Sequence, residues 1–367
     1  MSSHTIYRND KRIVMTLDAG GTNFVFSAMR GGEEIVLPVS LPANAADKDA
    51  CLYNLKEGFH RIRKSLPEPP LAISFAFPGP ADYPAGIIGN LPNFPSFRGG
   101  VALGPYLQEI FGIPVFINND GNLFAYGEAL TGVLPAINRR LREAGSVKQY
   151  KNLLGVTLGT GFGCGAVVDG NLLRGDNAAG GDIWCFRNKK YPQYIVEESV
   201  SIRAVKRVYR ELSGDTGEQT PEDIYHIAEG NLPGDKEAAV ASFAELGEIA
   251  GDAIASAVTL IDGIVVVGGG LANASKYIFP ALLKELNSPS GMMDGSRFPR
   301  LQMKAFNLDD EEQFAEFTKG SATQITIPET TRQINYDPCK RTGVITSRQG
   351  TSRSIAMGAY VFALNYI

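Results

Sequence analysis

Two glycine-rich turns indicate that this chain binds an anion through its backbone. Gly159-Thr160-Gly161 joins two apolar runs within Leu153–Val168, and Gly20-Gly21-Thr22 joins two apolar runs within Arg12–Ser27. Apolar runs on both sides of so short a turn predict β-hairpins. Glycine leaves the backbone N–H groups uncovered, so each turn is able to surround an anion. For one turn taken alone, glycine required only by the geometry of the hairpin is the alternative.

A third glycine turn, Gly268-Gly269-Gly270, follows the apolar run Gly263–Val267. Each of the three turns follows an apolar run that is typical of a buried strand. Three such turns favour binding of a nucleotide through its phosphates and its adenosine end. None of the three reads G-x-x-x-x-G-K-[ST], and none reads G-x-G-x-x-G before a helix. The pattern therefore excludes a P-loop of that type and a dinucleotide-binding turn.

Asp120 is the acidic residue best placed for chemistry. It lies between the apolar run Pro114–Ile117, which predicts a strand, and Leu123–Leu130, which has helical character. Proteins of the α/β class bind ligands where a strand ends and a helix begins, so Asp120 is a candidate catalytic carboxylate. A helix cap is the alternative interpretation, because aspartate is a favoured N-cap residue.

Composition restricts the function further. A length of 367 residues predicts two domains, and 44% hydrophobic with 20% charged residues predicts a globular protein with an ample core. The formal net charge of −4 offers no basic stripe, which argues against a nucleic-acid partner. Met1–Asp10 is too short and polar for a signal peptide, and no apolar run approaches membrane-spanning length. These features favour the cytoplasm.

The cysteines do not form a metal motif. Cys51, Cys164, Cys185 and Cys339 are scattered along the chain without a C-x-x-C pair, and the chain has only three histidines. Reduced, mostly packed thiols are therefore expected, and a structural zinc site is not.

The order of the remaining elements predicts a mixed α/β protein. Apolar periodicity and turn residues predict strands over 71–77, 114–117 and 263–267 and helices over 49–66, 103–111, 236–260, 275–286 and 352–367, with further helices opening at Glu197 and Pro221. Gly247 and Gly251 allow the helix over 236–260 to pack closely against a neighbour. Residues 139–151 predict a surface helix with a linker, and the polar stretch 287–351 predicts extra strands or a hairpin at 323–327 and 343–346.

In this order, four motifs resemble the ROK family (repressors, open reading frames, sugar kinases) of the actin/hexokinase/Hsp70 superfamily. They are Asp18-Ala19-Gly20-Gly21-Thr22; Phe77-Pro78-Gly79-Pro80 with Leu91-Pro92-Asn93; Asn118-Asn119-Asp120-Gly121-Asn122 with Gly127-Glu128; and Leu158-Gly159-Thr160-Gly161-Phe162-Gly163-Cys164-Gly165. The resemblance covers most of the chain and thins near 139–151 and 287–351, which look like insertions.

The resemblance implies an α/β, two-domain actin-like ATPase (ribonuclease H-like) fold with mixed sheets flanked by helices. ATP and a sugar would meet in the cleft between the domains. Residues 1–118, completed by the helix over 352–367, would form the N-terminal domain. Residues 119–351 would form the larger C-terminal domain.

The resemblance also implies a role for each motif. Asp120 matches the family's catalytic base, which orients a sugar hydroxyl and accepts its proton. The positions matching ATP contacts are the phosphate turns Gly20, Gly21, Thr22 and Gly159, Thr160, Gly161, the Mg²⁺-proximal Asp18, and Gly268, Gly269, Gly270 beside adenosine. The positions matching sugar hydroxyl ligands are Asn93, Asn119, Asp182 and Glu197. Such amide and carboxylate groups suit hydroxyls, which both donate and accept.

One stretch departs from the family. Residues 183–192 replace the Gly-His pair and the cysteine-rich zinc segment that most members carry between Asp182 and Glu197. The zinc is therefore expected to be absent, and a histidine contact to the sugar is lost, so the resemblance does not imply glucose. Trp184 offers either a stacking face for a sugar or a buried structural side chain.

The first interpretation is an ATP- and Mg²⁺-dependent kinase of a hexose or amino sugar, acting as a cytoplasmic homodimer. A sugar-responsive transcriptional regulator of the same family, a catalytically silent sugar-binding protein and a polyphosphate-dependent kinase are the alternatives. The retained Asp120 and the lack of a DNA-binding module before Asp18 count against the regulator.

Overall fold

The computed structural model describes residues 7–79, 81–89 and 94–367, which form two compact units. The first unit contains the described residues up to Pro135 together with Gly170–Gly181 and Gln349–Ile367. The second contains Ala136–Asp169 and Asp182–Arg348. The division of the domains at residue 118, implied by the resemblance, stays a prediction.

The elements follow one another as a mixed α/β chain. The strands are β1 (Val14–Ala19), β2 (Asn23–Arg30), β3 (Glu33–Glu34), β4 (Val39–Pro42), β5 (Ala72–Ala76), β6 (Ala81–Asp82), β7 (Ile87–Ile88), β8 (Val115–Asn118), β9 (Leu153–Leu158), β10 (Phe162–Val168), β11 (Asn171–Leu172), β12 (Ile264–Gly268), β13 (Pro289–Gly291), β14 (Arg297–Pro299), β15 (Lys304–Asn307), β16 (Thr323–Thr326), β17 (Gln333–Tyr336) and β18 (Arg341–Thr346). The α-helices used below are α1 (Lys48–Ser65), α2 (Leu103–Phe111), α3 (Asp120–Leu130), α4 (Val133–Glu143), α5 (Ile202–Ser213), α6 (Pro221–Glu229), α7 (Lys236–Ile261), α8 (Ser275–Leu286), α9 (Glu311–Lys319) and α10 (Thr351–Tyr366).

The first unit is built on a sheet with the strand order β3-β2-β1-β5-β8, and β4 pairs with β2. β1 and β2 form the predicted antiparallel hairpin, whereas β5 and β8 continue the sheet in parallel with β1. An aromatic core stabilises the unit. Phe26 of β2 meets Phe59 of α1 edge to face at a centroid distance of 5.0 Å, and both rings are fully buried.

Helices α3 and α10 pack together in the first unit with almost no space between their backbones. A Cβ atom on Gly127 of α3 would lie 2.0 Å from the carbonyl oxygen of Ser354, and one on Gly358 of α10 would lie 1.9 Å from that of Leu123. Glu128, which is fully buried, accepts a hydrogen bond from the Ser354 hydroxyl at 2.5 Å. α3 is therefore fixed along its length, with Asp120 at its N-terminal end.

The second unit repeats the plan of the first, since a hairpin is followed by parallel strands. β9 and β10 are antiparallel with Leu158 opposite Phe162, and β12, β18 and β15 extend the sheet in parallel. The predicted close packing of the helix over 236–260 is confirmed. A Cβ on Gly247 of α7 would lie 2.2 Å from the carbonyl oxygen of Ile278 in α8.

The stretch 287–351 is more than an insertion. β16 and β17 form an exposed hairpin, as do β13 and β14, but β15 and β18 are strands of the main sheet. The sequence did not predict α9, because its charged side chains hide a short apolar face formed by Phe314 and Phe317. Buried Arg341 donates from Nε to the carbonyl oxygen of Phe317 at 2.6 Å and so fixes the end of this helix.

Two boundaries also differ from the prediction. Glu197 lies in a short 3₁₀ turn (Val196–Glu198), and the following helix α5 begins only at Ile202 because Ser201 has extended backbone angles. The helix expected within 139–151 begins earlier, at Val133, and ends at Glu143.

The described residues contain no helix that is both long and apolar enough to cross a membrane. Over the same ranges, no group of three or more His, Cys, Asp or Glu side chains is arranged to hold a metal ion. The thiols of Cys51 and Cys164 are buried, whereas that of Cys185 is exposed.

Candidate active site

A cavity of about 520 Å³ in the first unit brings two of the predicted acidic residues together. Asp18 lies near the end of β1, Asp120 follows β8, and both side chains line the cavity and are exposed to solvent. The parallel arrangement of β1, β5 and β8 explains this, because parallel strands end at the same edge of a sheet. The topology thus produces a pair of carboxylates at one edge.

Asp120 is not the cap of helix α3. That role belongs to Asn119, whose Oδ1 accepts hydrogen bonds from the N–H of Gly121 at 2.7 Å and of Asn122 at 3.4 Å. Asp120 is the first helical residue, and its Oδ1 accepts from the N–H of Gly121 at 2.8 Å. The capping interpretation of Asp120 is therefore wrong. The cap uses the amide oxygen of Asn119, not its nitrogen.

The environment of Asp120 suits a proton acceptor. Desolvation by the surrounding protein raises the pKa of its carboxyl above the usual aspartate value, and the hydrogen bond from Gly121 opposes this shift only in part. The side chain is nevertheless open to water on the cavity side. A carboxylate that is reachable and whose pKa lies closer to neutrality is a better general base than an ordinary surface aspartate.

The first glycine turn exposes backbone donors. Among the described residues, no hydrogen bond uses the amides of Gly20, Gly21 or Thr22. A Cβ on Gly20 would lie 2.9 Å from the carbonyl oxygen of Asn23, whereas one on Gly21 would have no neighbour within 4 Å. The fold therefore requires glycine at position 20, whereas no described residue requires it at position 21.

The second glycine turn is fixed from one side. The N–H of Ile202 donates to the carbonyl oxygen of Gly159 at 2.8 Å, while the amides of Thr160 and Gly161 have no partner in the described part of the chain. A Cβ on Gly161 would lie 2.5 Å from Oε2 of Glu197. The turn thus offers two free donors next to a carboxylate.

The third glycine turn has a structural explanation at its centre. Gly269 has a φ of 87°, and a Cβ there would lie 2.2 Å from the carbonyl oxygen of Leu158. Gly268 is buried at the end of β12, and Gly270 begins a 3₁₀ turn with no heavy atom near its would-be Cβ. Geometry alone therefore accounts for Gly269, and the adenosine contact of this turn stays a prediction.

Asp182 and Trp184 are neighbours on the surface of the second unit. Desolvation raises the pKa of the Asp182 carboxyl, and a hydrogen bond with the Trp184 side chain opposes the shift. Trp184 is 39% exposed, so the interpretation as a buried structural tryptophan is wrong. An exposed indole beside a carboxylate fits recognition of a polyol, which combines an apolar face with hydroxyl groups.

Glu197 contacts the second glycine turn directly. Its Oε2 accepts from the N–H of Phe162 at 3.0 Å, and its Oε1 contacts Nη2 of Arg203 at 3.1 Å. Asn93, the remaining predicted sugar ligand, lies outside the described residues.

The sequence-based reasoning missed two arginines. Arg203 contacts Glu197, and Arg353 lines the cavity with Asp18 and Asp120 while donating to the carbonyl oxygen of Gly32. Both lie in the first turn of a helix, where the positive end of the helix dipole disfavours a cation. A basic residue at such a position was the available signal that an acidic or carbonyl partner is near.

Comparison with known proteins identifies the family. The ROK family profile matches residues 14–290, and the chain belongs to that family. It is also similar to the crystal structure of glucokinase from Parabacteroides distasonis ATCC 8503, with 70% identity, a TM-score of 0.93, and coverage of 99% of this chain and 100% of that one. The predicted family and actin-like α/β fold class are confirmed.

Two curated relatives are more distant. A glucokinase of Halalkalibacterium halodurans is 31% identical over 175 residues, which cover 46% of this chain and 47% of the relative. An N-acetyl-D-glucosamine kinase of Aliivibrio salmonicida is 27% identical over 304 residues, which cover 77% and 92%. The chain therefore has relatives named for two different sugars.

Proposed function

We propose that this chain is a sugar kinase that transfers the γ-phosphoryl group of ATP to a hydroxyl of a hexose or amino sugar, with Asp120 as the general base. The similarity to a glucokinase structure at 70% identity supports the reaction class. The relatives named glucokinase and N-acetyl-D-glucosamine kinase support both sugar classes.

The observation that carries the proposal is the pairing of Asp18 and Asp120 in one cavity of the first unit. Asp120 would orient the sugar hydroxyl and accept its proton, which its raised pKa favours. The amides of Gly21 and Gly161, which have no partner among the described residues, would donate to the phosphate oxygens with the other free amides of their turns. Phosphoryl transfer depends mainly on such positioning and charge stabilisation.

Asp18 would hold the magnesium ion that accompanies ATP. Its exposed carboxylate lies two residues before Gly20, whose amide, like that of Gly21, has no partner in the described ranges, and Mg²⁺ prefers oxygen ligands of this kind. When bound, the ion neutralises negative charge on the phosphates.

The sugar would be held through its hydroxyl groups. Asn93, Asn119, Asp182 and Glu197 are the proposed hydroxyl ligands. The exposed Trp184 beside Asp182 supports an apolar contact with one face of the sugar ring. A net charge of −4 supports the absence of a nucleic-acid partner, and the family resemblance supports a cytoplasmic homodimer.

Sugar-dependent release of ADP tests the proposed function. We expect glucose, mannose, N-acetyl-D-glucosamine or N-acetyl-D-mannosamine to stimulate ADP formation from Mg·ATP, and phosphate to appear on the sugar. Sugar binding without ADP formation would instead indicate a silent binding protein or a regulator. The same panel with polyphosphate in place of ATP identifies the phosphoryl donor.

Gly21→Ala separates phosphate binding from folding. Because no described residue has a heavy atom within 4 Å of the Cβ position of Gly21, we expect an unchanged melting temperature. The added methyl group would keep a phosphate from the neighbouring amides and raise the KM for ATP about tenfold, equivalent to about 1.4 kcal/mol.

Gly291→Ala is the matched control, since this exposed glycine also has no atom near its Cβ position and lies in β13. Its KM for ATP is expected to match that of the wild type. An unchanged KM in Gly21→Ala would contradict the assignment of the first turn to phosphate.

A further inference from the structure

The tip of the β9–β10 hairpin is held by the segment that runs from Glu197 into α5. The N–H of Ile202 donates to the carbonyl oxygen of Gly159 at 2.8 Å, and Nη1 of Arg203 donates to that of Thr160 at 3.3 Å. The carbonyl groups of Gly159 and Thr160 therefore both accept hydrogen bonds from this segment, whereas that of Gly161 accepts from the N–H of Gly159 within the turn.

These two bonds determine where the free amides of the turn point. In a trans peptide, the carbonyl of one residue and the N–H of the next lie in one rigid plane and point in opposite directions. Ile202 thus orients the N–H of Thr160 through the carbonyl of Gly159. Arg203 orients the N–H of Gly161 through the carbonyl of Thr160. Both donors are directed away from the segment that holds the turn.

Arg203 is itself held by two carboxylates. Its Nη2 lies 2.7 Å from Oε1 of Glu198 and 3.1 Å from Oε1 of Glu197. Hydrogen bonds with Glu198 and then Glu197 raise the pKa of the guanidinium above its usual value. These contacts offset the unfavourable position of a cation in the first turn of α5. One guanidinium thus bridges the turn and the candidate sugar ligand Glu197.

We propose that Arg203 is a positioning residue for phosphoryl transfer, which fixes the Thr160–Gly161 peptide for the nucleotide and couples it to the sugar site through Glu197. This inference rests on the proposed function. A sugar that binds Glu197 then also stabilises the turn, and by linkage the nucleotide and the sugar strengthen each other's binding by the same factor. Lysine cannot replace arginine here, because a single ammonium group lacks the planar fork that reaches several acceptors.

Calorimetric titration with Mg·AMP-PNP, a nucleotide that is not hydrolysed, tests the inference on the full chain. Wild type, Arg203→Ala and Arg203→Lys are each titrated without sugar and with saturating glucose or N-acetyl-D-glucosamine. We expect both variants to bind the nucleotide about tenfold more weakly, as for the loss of one hydrogen bond to a charged group. We also expect sugar to tighten nucleotide binding in the wild type and not in the variants.

Lys206→Ala is the control, because Lys206 lies in the same helix α5 and pairs with exposed Glu218 at 3.7 Å. Its nucleotide affinity and sugar coupling should equal those of the wild type, since exposed pairs contribute little. If Arg203→Ala does not fold, Arg203→Lys, which retains the charge, decides the result.

Unchanged nucleotide affinity and coupling in the Arg203 variants would overturn the inference alone. A wild-type protein that binds the nucleotide but releases no ADP with any sugar would overturn the proposed function, and the role of Arg203 in nucleotide binding would still be decided by the titration. A wild type that binds no nucleotide would overturn both.

Discussion

Asp120→Asn is expected to lower kcat by about 10²–10⁴-fold, the usual contribution of a general base. Asparagine preserves the shape of the side chain and accepts the Gly121 N–H through its amide oxygen, so the fold and the KM for the sugar should change little. It cannot accept the proton of the sugar hydroxyl. Steady-state ADP release at saturating ATP and sugar measures the effect.

The pH profile gives a second readout of the same variant. Asp120 acts as a base only when it is ionised, and its pKa is raised by desolvation. Activity should therefore fall as the pH decreases through that raised pKa, which lies above the ordinary aspartate value of about 3.9. The residual activity of Asp120→Asn should lack this acidic limb.

Asp49→Asn is the matched control, because Asp49 is an exposed aspartate in the first turn of α1 and does not line the cavity. Its kcat should equal that of the wild type. If Asp120→Asn retained full activity, another group would have to accept the proton, and the role of Asp120 would be disproved.

Local sequence signals were sufficient for the elements that carry the site. The two hairpins, helix α8 and the strand before Asp120 were predictable because apolar periodicity and turn residues act within a few positions of one another. The helical segments around Gly247 and Gly251 were also predictable, since small residues at helical spacing indicate a close neighbour. The order of the motifs then pointed to the family and its fold.

The sequence did not predict which of two similar residues takes a structural role, or which residues far apart in the chain come into contact. Asn119 and Asp120 are both good caps, and only the backbone geometry shows that Asn119 takes this role. The contact of Glu197 with Phe162 spans 35 positions of the chain, so no local pattern reports it. The sequence left Trp184 either as a stacking face or as a buried structural side chain, because its exposure depends on how residues 183–192 fold.

The strands β15 and β18 show the same limit. They lie in the polar stretch 287–351, for which the sequence predicts extra strands or a hairpin, and β18 pairs with β12 inside the sheet. The pairing depends on residues that are more than 70 positions apart, such as Val265 and Val344. Sequence reasoning on one chain detects that a strand is present but not which strand it joins.

The contact between α3 and α10 explains why Asp120 has a fixed position. Gly127 and Gly358 bring the two backbones together, and Glu128 bonds to Ser354 across the same interface. The obstacles to a side chain at either glycine are backbone carbonyls, which cannot rotate away as a flexible side chain would. The interface therefore has no room for even one methyl group.

Gly358→Ala is accordingly expected to lower the free energy of unfolding by about 3 kcal/mol, at the upper end of the usual range for overpacking. A loss of stability is informative, because replacing glycine by alanine within a helix otherwise stabilises the protein by about 1 kcal/mol. Denaturant unfolding measures the change, with Gly291→Ala as an unaffected control.

Gly127→Ala should act in the same direction, and the double variant should lose less than the sum of the single losses, since both changes separate the same pair of helices. If Gly358→Ala were as stable as the wild type, the two helices would not pack as closely as described, and the rigid support of Asp120 would have to come from elsewhere.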